Sequence, residues 1–170
     1  MIHYRRATID DGPELDSMAL AIWIETFGHS APPEDIAAYL GESYGPDGRL
    51  IRDLADPAVT FQLACDDDHI IGYAKLTNPF VDPALAVDAL QLNQLYVASD
   101  WHGHGIADVL MRWTTDTARE RGATALVLTV WEENARARRF YEKRGFVHVG
   151  DYAFPTGTQI DRDLIMRLAL

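Results

Sequence analysis

The sequence predicts a single α+β domain over residues 1–170, built on a mixed, mostly antiparallel sheet of six or seven strands with helices packed against it. Three observations support this prediction. The 170 residues match the size of one compact domain, and no Gly/Ser-rich or Pro-rich stretch divides them. Hydrophobic residues make up 48% of the chain, which is enough for a sizeable core. Strand patterns and helix patterns also follow one another unevenly, with one strand–helix–strand crossover over residues 89–131.

The N-terminal part of the chain is predicted to form one strand followed by helices. Residues 3–8 read as a short strand, and the turn after them contains Pro13, which is favourable in the first turn of a helix. Apolar residues at helical spacing then predict an amphipathic helix over residues 11–27. A second helix begins near Pro33, and a short third helix passes through Leu50 to Leu54.

The rest of the chain is predicted to consist mainly of strands. A nearly continuous apolar run over residues 125–131 is typical of a buried parallel strand. A change in the alternation near Asn93 to Tyr96 predicts a β-bulge. We expect strands at residues 59–65, 70–77, 89–97, 125–131, 146–154 and 159–168, with helices from 106 to Gly122 and from 134 to 144.

The charge of the chain argues against nucleic acid as a partner. Fifteen basic residues stand against 26 acidic ones, which gives a net charge of −11 at neutral pH. Such a surface repels a phosphate backbone and attracts cationic substrates, although ordinary solubility also accounts for an acidic surface.

Several absences bear on the environment that we expect for the protein. No apolar run approaches the ~18 residues of a membrane-spanning helix, and the N-terminus lacks the apolar core of a signal peptide. A lone cysteine, Cys65, excludes an internal disulfide and a cysteine zinc cluster. We therefore expect a cytoplasmic protein that works without a membrane.

The segment most informative about function is a glycine-rich loop between a predicted strand and a predicted helix, His102-Gly103-His104-Gly105-Ile106-Ala107. Its two glycines let the backbone turn sharply and aim consecutive N–H groups at one point. The N-terminus of the following helix adds about half a positive charge. The pattern predicts an anion site that suits a pyrophosphate, although a structural tight turn would explain the glycines equally well.

A second segment, Asn134 to Phe146, narrows this interpretation. Together with the loop it resembles the GCN5-related N-acetyltransferase (GNAT) superfamily, in which a (Gln/Arg)-x-x-Gly-x-(Gly/Ala) loop precedes an Asn…Ala…Phe-Tyr-x-x-x-Gly-Phe segment. His102, Gly105 and Ala107 hold the three defining positions of the loop. The second segment matches at Asn134, Ala137, Phe140, Tyr141, Gly145 and Phe146. The order of the predicted elements also matches that fold over essentially the whole chain.

The resemblance implies an N-acetyltransferase that uses acetyl-CoA as its cosubstrate. The cofactor would lie where the parallel strands 4 and 5, at residues 89–97 and 125–131, splay apart. Backbone groups of strand 4 would pair with the pantetheine as if it were an added strand, and one N–H would polarise the thioester carbonyl. The implied cofactor-binding residues are Leu95, Tyr96, Val97, His102, Gly103, His104, Gly105, Ile106, Ala107, Asn134, Ala137 and Tyr141.

Position 102 departs from the family pattern, because it holds His where Gln or Arg is usual. An imidazole can still donate to a phosphate, and a nearby dianion favours its protonated form. We therefore expect CoA binding that is weaker or dependent on pH. An alternative is that His102 and His104 form a metal pair, but no further ligand lies close in the sequence, so we expect no metal.

For the chemistry, the resemblance implies that Tyr141 is the acid that protonates the leaving thiolate, since a phenol stays protonated at neutral pH. The alternative is a core aromatic beside Phe140. Many relatives carry a glutamate as general base on the strand before the loop, but Gln91 and Asn93 stand there without a carboxylate. The fallback candidates for the base are Asp88, Glu25 and Glu34.

The acceptor is expected to be a primary amine of a small molecule. The helical segment with Trp23, Phe27 and Tyr39, together with Tyr44, is similar to the lid of bacterial polyamine N-acetyltransferases. These aromatic residues, with Gln91 and Asn93, are the candidate substrate contacts, and cation–π interactions would favour an ammonium group.

Two other functions stay open at this point. One is an acetyltransferase that acts on a peptide N-terminus or a lysine, and the other is a non-catalytic acyl-CoA-binding module. Many members of the family dimerise through their C-terminal strands, so a homodimer through residues 146–168 also stays open.

Overall fold

The computed structural model describes all residues 1–170 and contains seven strands and five helices. In chain order they are β1 (Ile2–Arg6), α1 (Gly12–Phe27), α2 (Pro33–Ser43), α3 (Arg49–Ala55), β2 (Thr60–Asp66), β3 (His69–Thr77), β4 (Ala89–Val97), α4 (Ile106–Glu120), β5 (Ala125–Trp131), α5 (Ala135–Glu142), β6 (Val147–Thr156) and β7 (Gln159–Ala169). Two short 3-10 turns, at Ile9–Asp11 and Ser99–Trp101, precede α1 and the glycine loop. The predicted order of elements is confirmed.

The seven strands form one sheet in the order β1-β2-β3-β4-β5-β7-β6. Every neighbouring pair is antiparallel except β4 and β5, which are parallel because α4 carries the chain back across the sheet between them. The predicted α+β class, with parallel strands 4 and 5 in a mostly antiparallel sheet, is therefore confirmed.

Strands β4 and β5 stay together only at their N-terminal ends. Their pairing joins Ala89–Gln91 to Ala125–Val127 and stops there. Further along, β4 carries a bulge: Leu76 of β3 lies opposite Leu92 and the preceding Lys75 lies opposite Gln94, so Asn93 is the extra residue. The bulge predicted near Asn93 is present, and beyond it the two parallel strands diverge and leave a gap in the sheet.

The helices cover the two faces of the sheet and separate the core into two layers. On one face α4 and α5 pack over a cluster of 17 buried residues that includes Leu110, Leu126 and Leu128. On the other face α1, α2 and α3 cover a cluster of ten buried residues that includes Leu15 and Tyr73. Adjacent residues of a strand point to opposite faces of the sheet, so the same strands contribute to both layers. The gap between β4 and β5 therefore lies between two packed layers of the core.

The first strand ends earlier than the sequence suggests. The sequence predicts a strand up to residue 8, but β1 ends at Arg6 because Thr8 begins the next turn. The Thr8 backbone N–H and hydroxyl both donate to Asp11, at 2.7 Å and 3.1 Å, and Arg5 forms an ion pair with the same carboxylate. The side chain of Asp11 therefore stops the strand and starts the helical segment.

None of the helices combines the length and the hydrophobicity that a membrane-spanning helix needs.

Candidate active site

The gap between β4 and β5 opens into a cavity of about 1140 Å³. One end of the cavity lies against the loop of residues 102–107 and α5. The other end lies under α1 and α2 and against the strands β6 and β7. We call these the cofactor end and the acceptor end.

The glycine loop at the cofactor end has the backbone geometry of an anion site. Gly103 and Gly105 have positive φ angles of 82° and 78°, which side chains rarely allow, and a Cβ added at either would meet no atom within 4 Å. None of the backbone N–H groups of residues 103–108 donates to a backbone carbonyl. The loop and the first turn of α4 therefore present a row of free donors to open space, at the positive end of the helix.

His102 is held between two partners within the protein. Its Nε2 lies 2.9 Å from the Val97 carbonyl and its Nδ1 lies 2.7 Å from the Arg136 guanidinium. A carbonyl only accepts and a guanidinium only donates, so Nε2 carries the hydrogen and Nδ1 accepts, and the ring is neutral in this arrangement. Arg136 thereby brings a permanent positive charge next to the loop. It was not selected from the sequence, although it lies between Asn134 and Ala137 of the second motif.

His104 lies apart from the cavity. Its side chain is exposed, its Nδ1 is 3.2 Å from the His102 carbonyl oxygen, and its ring packs near Trp101. The structure contains no group of three or more His, Cys, Asp or Glu side chains that could hold a metal ion.

The edge of β4 forms the wall of the cavity between its two ends. Leu95, Tyr96 and Val97 all line the cavity, and their backbone is paired with β3 on one side only, because pairing with β5 ends at Gln91. An extended chain with amide groups can add to such a free strand edge.

The second motif places Tyr141 inside the cavity. Tyr141 is 9% exposed and packs edge-on against Phe140 and Phe146, with ring centroids 5.4 and 5.6 Å away. Burial raises the pKa of its phenol above the ordinary value, while the nearby Arg144 guanidinium acts in the opposite direction. The hydroxyl is therefore protonated throughout the physiological range.

Asn134 and Ala137 also line the cavity, and they have a second role that the sequence analysis missed. The Asn134 side-chain oxygen accepts a hydrogen bond of 3.2 Å from the Ala137 backbone N–H, so Asn134 is the N-cap of α5. The amide nitrogen of Asn134 makes no hydrogen bond within the protein and can donate to a ligand.

The acceptor end is enclosed by aromatic side chains that come from distant parts of the chain. Trp23 stacks on Tyr39 at a centroid distance of 4.8 Å, and Phe27 packs against Trp131 at 5.6 Å. Tyr39 also contacts Phe154 of β6 at 5.7 Å. Trp23, Phe27, Tyr39 and Tyr44 were candidates from the sequence and all line the cavity, whereas Trp131 and Phe154 were missed.

Of the two polar candidates on β4, only one lines the cavity. Asn93, at the bulge, lines the cavity. Gln91 is fully buried and does not line it, and its side-chain oxygen accepts a hydrogen bond of 3.0 Å from the Phe80 backbone N–H. Gln91 therefore holds the loop that carries Phe80. Of the fallback bases, Glu25 lines the cavity, and Asp88 and Glu34 do not.

Two carboxylates of β7 face the acceptor end, and the sequence analysis missed both. Asp161 and Asp163 are two residues apart on the strand and so lie on the same face of the sheet. Asp163 is only 8% exposed, and burial raises the pKa of its carboxyl to about 7, with the negative charge of Asp161 acting in the same direction. The sequence pattern of β7 does not single them out, because Arg162 lies between them and Gln159 and Arg167 also belong to the strand.

The residues present fit a bound acyl-CoA. The free N–H groups of residues 103–108 and Arg136 suit a pyrophosphate, the free edge of β4 suits an amide-bearing arm, and Tyr141 lines the cavity. A thioester held in this way would face the acceptor end. The fold and the site therefore define an acyltransferase that takes its acyl group from a CoA thioester.

Comparison with known proteins identifies the family. The model of the acetyltransferase (GNAT) family matches residues 18–146, and the chain belongs to this family. An uncharacterized N-acetyltransferase of Mycobacterium bovis is 31% identical over 156 residues, with 92% of this chain and 96% of the relative covered. The streptothricin acetyltransferase of Streptomyces lavendulae is 36% identical over 119 residues, which is 69% of this chain and 59% of the relative.

A solved structure shares the whole fold. The PaiA N-acetyltransferase of Thermoplasma acidophilum, in complex with coenzyme A, superposes with a TM-score of 0.80 at 21% identity and covers 100% of this chain and 99% of its own. The protein is thus an acetyl-CoA-dependent N-acetyltransferase, so the alternative of a non-catalytic acyl-CoA-binding module is set aside.

Proposed function

We propose that this enzyme acetylates a primary amine of a small, cationic molecule, with an aliphatic polyamine as the leading candidate, by direct attack of the amine on the thioester. The observation that carries the proposal is the acceptor end of the cavity. It combines aromatic walls, which attract cations through their ring faces, with the carboxylates of Asp161 and Asp163. Such a compartment favours an ammonium group over a neutral or anionic acceptor.

The helices that cover this compartment favour a small acceptor over a protein. Asp35 of α2 accepts hydrogen bonds from the Thr158 backbone N–H at 3.0 Å and from its hydroxyl at 2.6 Å. These bonds fasten the first turn of α2 to the turn between β6 and β7, close to Thr156, which lines the cavity. A peptide would need an open groove at that place. The relative from Streptomyces lavendulae supports the same direction, since its name gives streptothricin, not a protein, as its acceptor.

In the proposed binding mode, the pyrophosphate of acetyl-CoA rests on the N–H groups of the loop, and Arg136 adds a cation beside position 102, where the family usually has Gln or Arg. Leu95, Tyr96 and Val97 pair with the pantetheine, while Ala137, being small, lets it approach α5. His102 in this proposal orients Arg136 through the bond at Nδ1.

Tyr141 is proposed as the acid for the leaving thiolate. Its hydroxyl lies in the cavity and is neutral at physiological pH, because burial raises its pKa. A neutral phenol can give its proton to the sulfur as the C–S bond breaks, so that no unpaired thiolate has to form in the buried site.

Thiol release from acetyl-CoA, measured across a panel of acceptors, tests the proposed function. The panel contains spermidine, putrescine, propylamine, a short peptide with a free N-terminus, and a peptide with an internal lysine. We expect the aliphatic amines to exceed both peptides in kcat/KM by about tenfold or more, equivalent to about 1.4 kcal/mol of transition-state binding. A preference for either peptide would contradict the small-molecule assignment, and release of thiol with no acceptor would contradict the amine assignment altogether.

A further inference from the structure

Building on the proposed small-molecule function, we propose that Asp163 is the general base of this enzyme: its carboxylate binds the acceptor's ammonium group and takes the proton that must leave before attack. The inference rests on the position of Asp163, on its lack of a cationic partner, and on the walls around it.

Asp163 lies at the floor of the acceptor end. Its neighbours across the sheet are Trp131 of β5 and Tyr152 of β6, which stand directly opposite it in the strand register. All three residues line the cavity, and Asp163 itself is 8% exposed. The carboxylate is therefore removed from bulk water but open to a ligand in the cavity.

Asp163 differs from the other buried charged residues, which have partners within the protein. Lys75 forms an ion pair with Asp53, Asp35 accepts two hydrogen bonds from Thr158, and Asp16 accepts one from the Gly45 backbone N–H. Asp163 has no ion pair with any lysine, arginine or histidine, and the hydroxyl of Thr129 is the one hydrogen-bonding group that favours its charged form. A buried carboxylate without a cation is costly, and a cationic ligand removes that cost.

The walls around Asp163 suit an alkylammonium ion. The rings of Trp131, Tyr39 and Phe154 line the same compartment and can contact the methylene groups and the charged head of an amine. A single carboxylate set among aromatic rings gives one strong position for the ammonium and leaves the alkyl chain in an apolar environment.

The charged groups near Asp163 favour a proton acceptor that works close to neutral pH. Burial, together with the charge of Asp161 on the same strand, raises the pKa of Asp163 to about 7, whereas β5 contributes no ionisable side chain to the cavity lining. The remaining titratable or charged groups of the acceptor end are Glu25 on α1, Tyr39 and Tyr44 on and just after α2, Arg49 and Asp53 on α3, Lys75 on β3 and Tyr152 on β6. A base with a pKa near the working pH combines a large ionised fraction with a strong tendency to take a proton.

The proton balance follows from these positions. The acceptor enters as an ammonium ion, and Asp163 takes one proton to give a free amine and a neutral carboxylic acid. The amine lone pair forms the new C–N bond at the thioester carbonyl, the C–S bond breaks, and Tyr141 gives its proton to the leaving sulfur. A second proton leaves the nitrogen as the amide forms and restores the Tyr141 hydroxyl. Asp163 returns its proton to water, so the reaction yields the acetylated amine, the thiol and one proton.

The pH dependence of kcat/KM tests the assignment, with the best amine of the panel at saturating acetyl-CoA. For the wild-type enzyme we expect kcat/KM to rise with pH up to about 7, where Asp163 ionises, and then to level off. For Asp163→Asn we expect a loss of at least about 100-fold near neutral pH. Its remaining activity should keep rising towards the amine's own pKa, near ~10, because only free amine can then react.

Two further variants sharpen this test. Asp161→Asn removes the neighbouring charge, so the rise of kcat/KM should occur at lower pH than in the wild type, without loss of turnover. Asp116→Asn, an exposed residue of α4 that pairs with Arg119, is the matched control and should leave the profile unchanged. If Asp163→Asn keeps the wild-type profile within about threefold, Asp163 is not the base, while turnover by the wild type still upholds the proposed function. If the wild type acetylates no amine, the proposed function fails and the assignment of Asp163 fails with it.

Melting temperatures give a second readout that a structural role would not reproduce. A carboxyl whose pKa is higher in the folded state than in the unfolded state, where it is ~3.9, loses stability as the pH rises from that value to the folded pKa of about 7. The melting temperature of Asp163→Asn relative to wild type should therefore increase by a few degrees between about pH 4 and about pH 7 and stay constant above. A carboxylate that served to hold the fold would give the opposite sign.

Discussion

The two ends of the active-site cavity are built in different ways. The cofactor end comes from two short segments, the loop at 102–107 and α5, whose functional groups are backbone N–H donors and a few side chains at helical spacing. The acceptor end gathers side chains such as Trp23, Tyr39 and Asp163 from opposite ends of the chain. Backbone geometry is local and tolerates few sequences, whereas an acceptor pocket needs only surfaces that the fold brings together. The cosubstrate site is therefore constrained by the sequence motif and the acceptor site is free to vary.

The largest effect is expected at Tyr141, the proposed acid at the cofactor end. Tyr141→Phe removes the proposed acid without changing the ring that packs against Phe140 and Phe146. We expect kcat to fall by about 100-fold, with the affinities for acetyl-CoA and for the amine nearly unchanged. Steady-state kinetics combined with calorimetry of CoA binding checks this. An unchanged kcat would show that Tyr141 is a core aromatic only.

A smaller effect is expected where backbone geometry holds the cofactor. Gly105→Ala places a side chain at a positive φ angle in the open space that faces the anion site. We expect acetyl-CoA affinity to fall by about tenfold or more, because the Cβ disturbs the row of N–H donors. The amine end should be unaffected.

Gly122→Ala is a matched control for that variant. Gly122 ends α4 with a φ angle of 81° and also has no atom within 4 Å of an added Cβ, but it lies outside the cavity. Both variants should therefore lose a similar ~1 kcal/mol of stability, measured by urea unfolding, and only Gly105→Ala should lose affinity for acetyl-CoA. Equal loss of affinity in both would show that the loop acts through stability alone.

The smallest of these effects is expected at Arg136. Arg136→Ala should raise the KM for acetyl-CoA by about fivefold and leave kcat unchanged, because an exposed charge is partly screened by salt. The effect should shrink further as ionic strength rises. Arg139→Ala, an exposed arginine of the same helix outside the cavity, is the control. If both substitutions change KM equally, the effect comes from general charge and not from the contact with His102.

The same contrast explains what the sequence could and could not predict. Periodicity located every helix and strand, and the bulge at Asn93 was visible as a change of alternation. The end of β1 was missed because Asp11 captures Thr8 through side-chain bonds that have no periodic pattern. In the site, the loop and α5 could be predicted from sequence motifs because the residues of each segment are neighbours both in sequence and in space.

Asp163 and Gln91 show where such reading fails. Whether a carboxylate faces a cavity or solvent depends on the register of β7 against β5, and no local pattern of the sequence contains that register. Gln91 was a reasonable substrate contact by its strand position, but the loop that carries Phe80 folds over it and takes its side-chain oxygen. Tertiary contacts decided both outcomes.

The short pairing between β4 and β5 has a consequence for the whole molecule. Only three residue pairs join them, so the sheet consists of two blocks, β1 to β4 and β5 to β7, that meet along a narrow seam and are otherwise connected by helices such as α4 and α2. A cosubstrate lying along the open edges of β4 and β5 would contact both blocks and hold them together. A ligand that binds only the folded state stabilises it by about 2.7 kcal/mol at a concentration of a hundred times its dissociation constant. The free energy of unfolding of this protein would therefore depend on the concentration of acetyl-CoA.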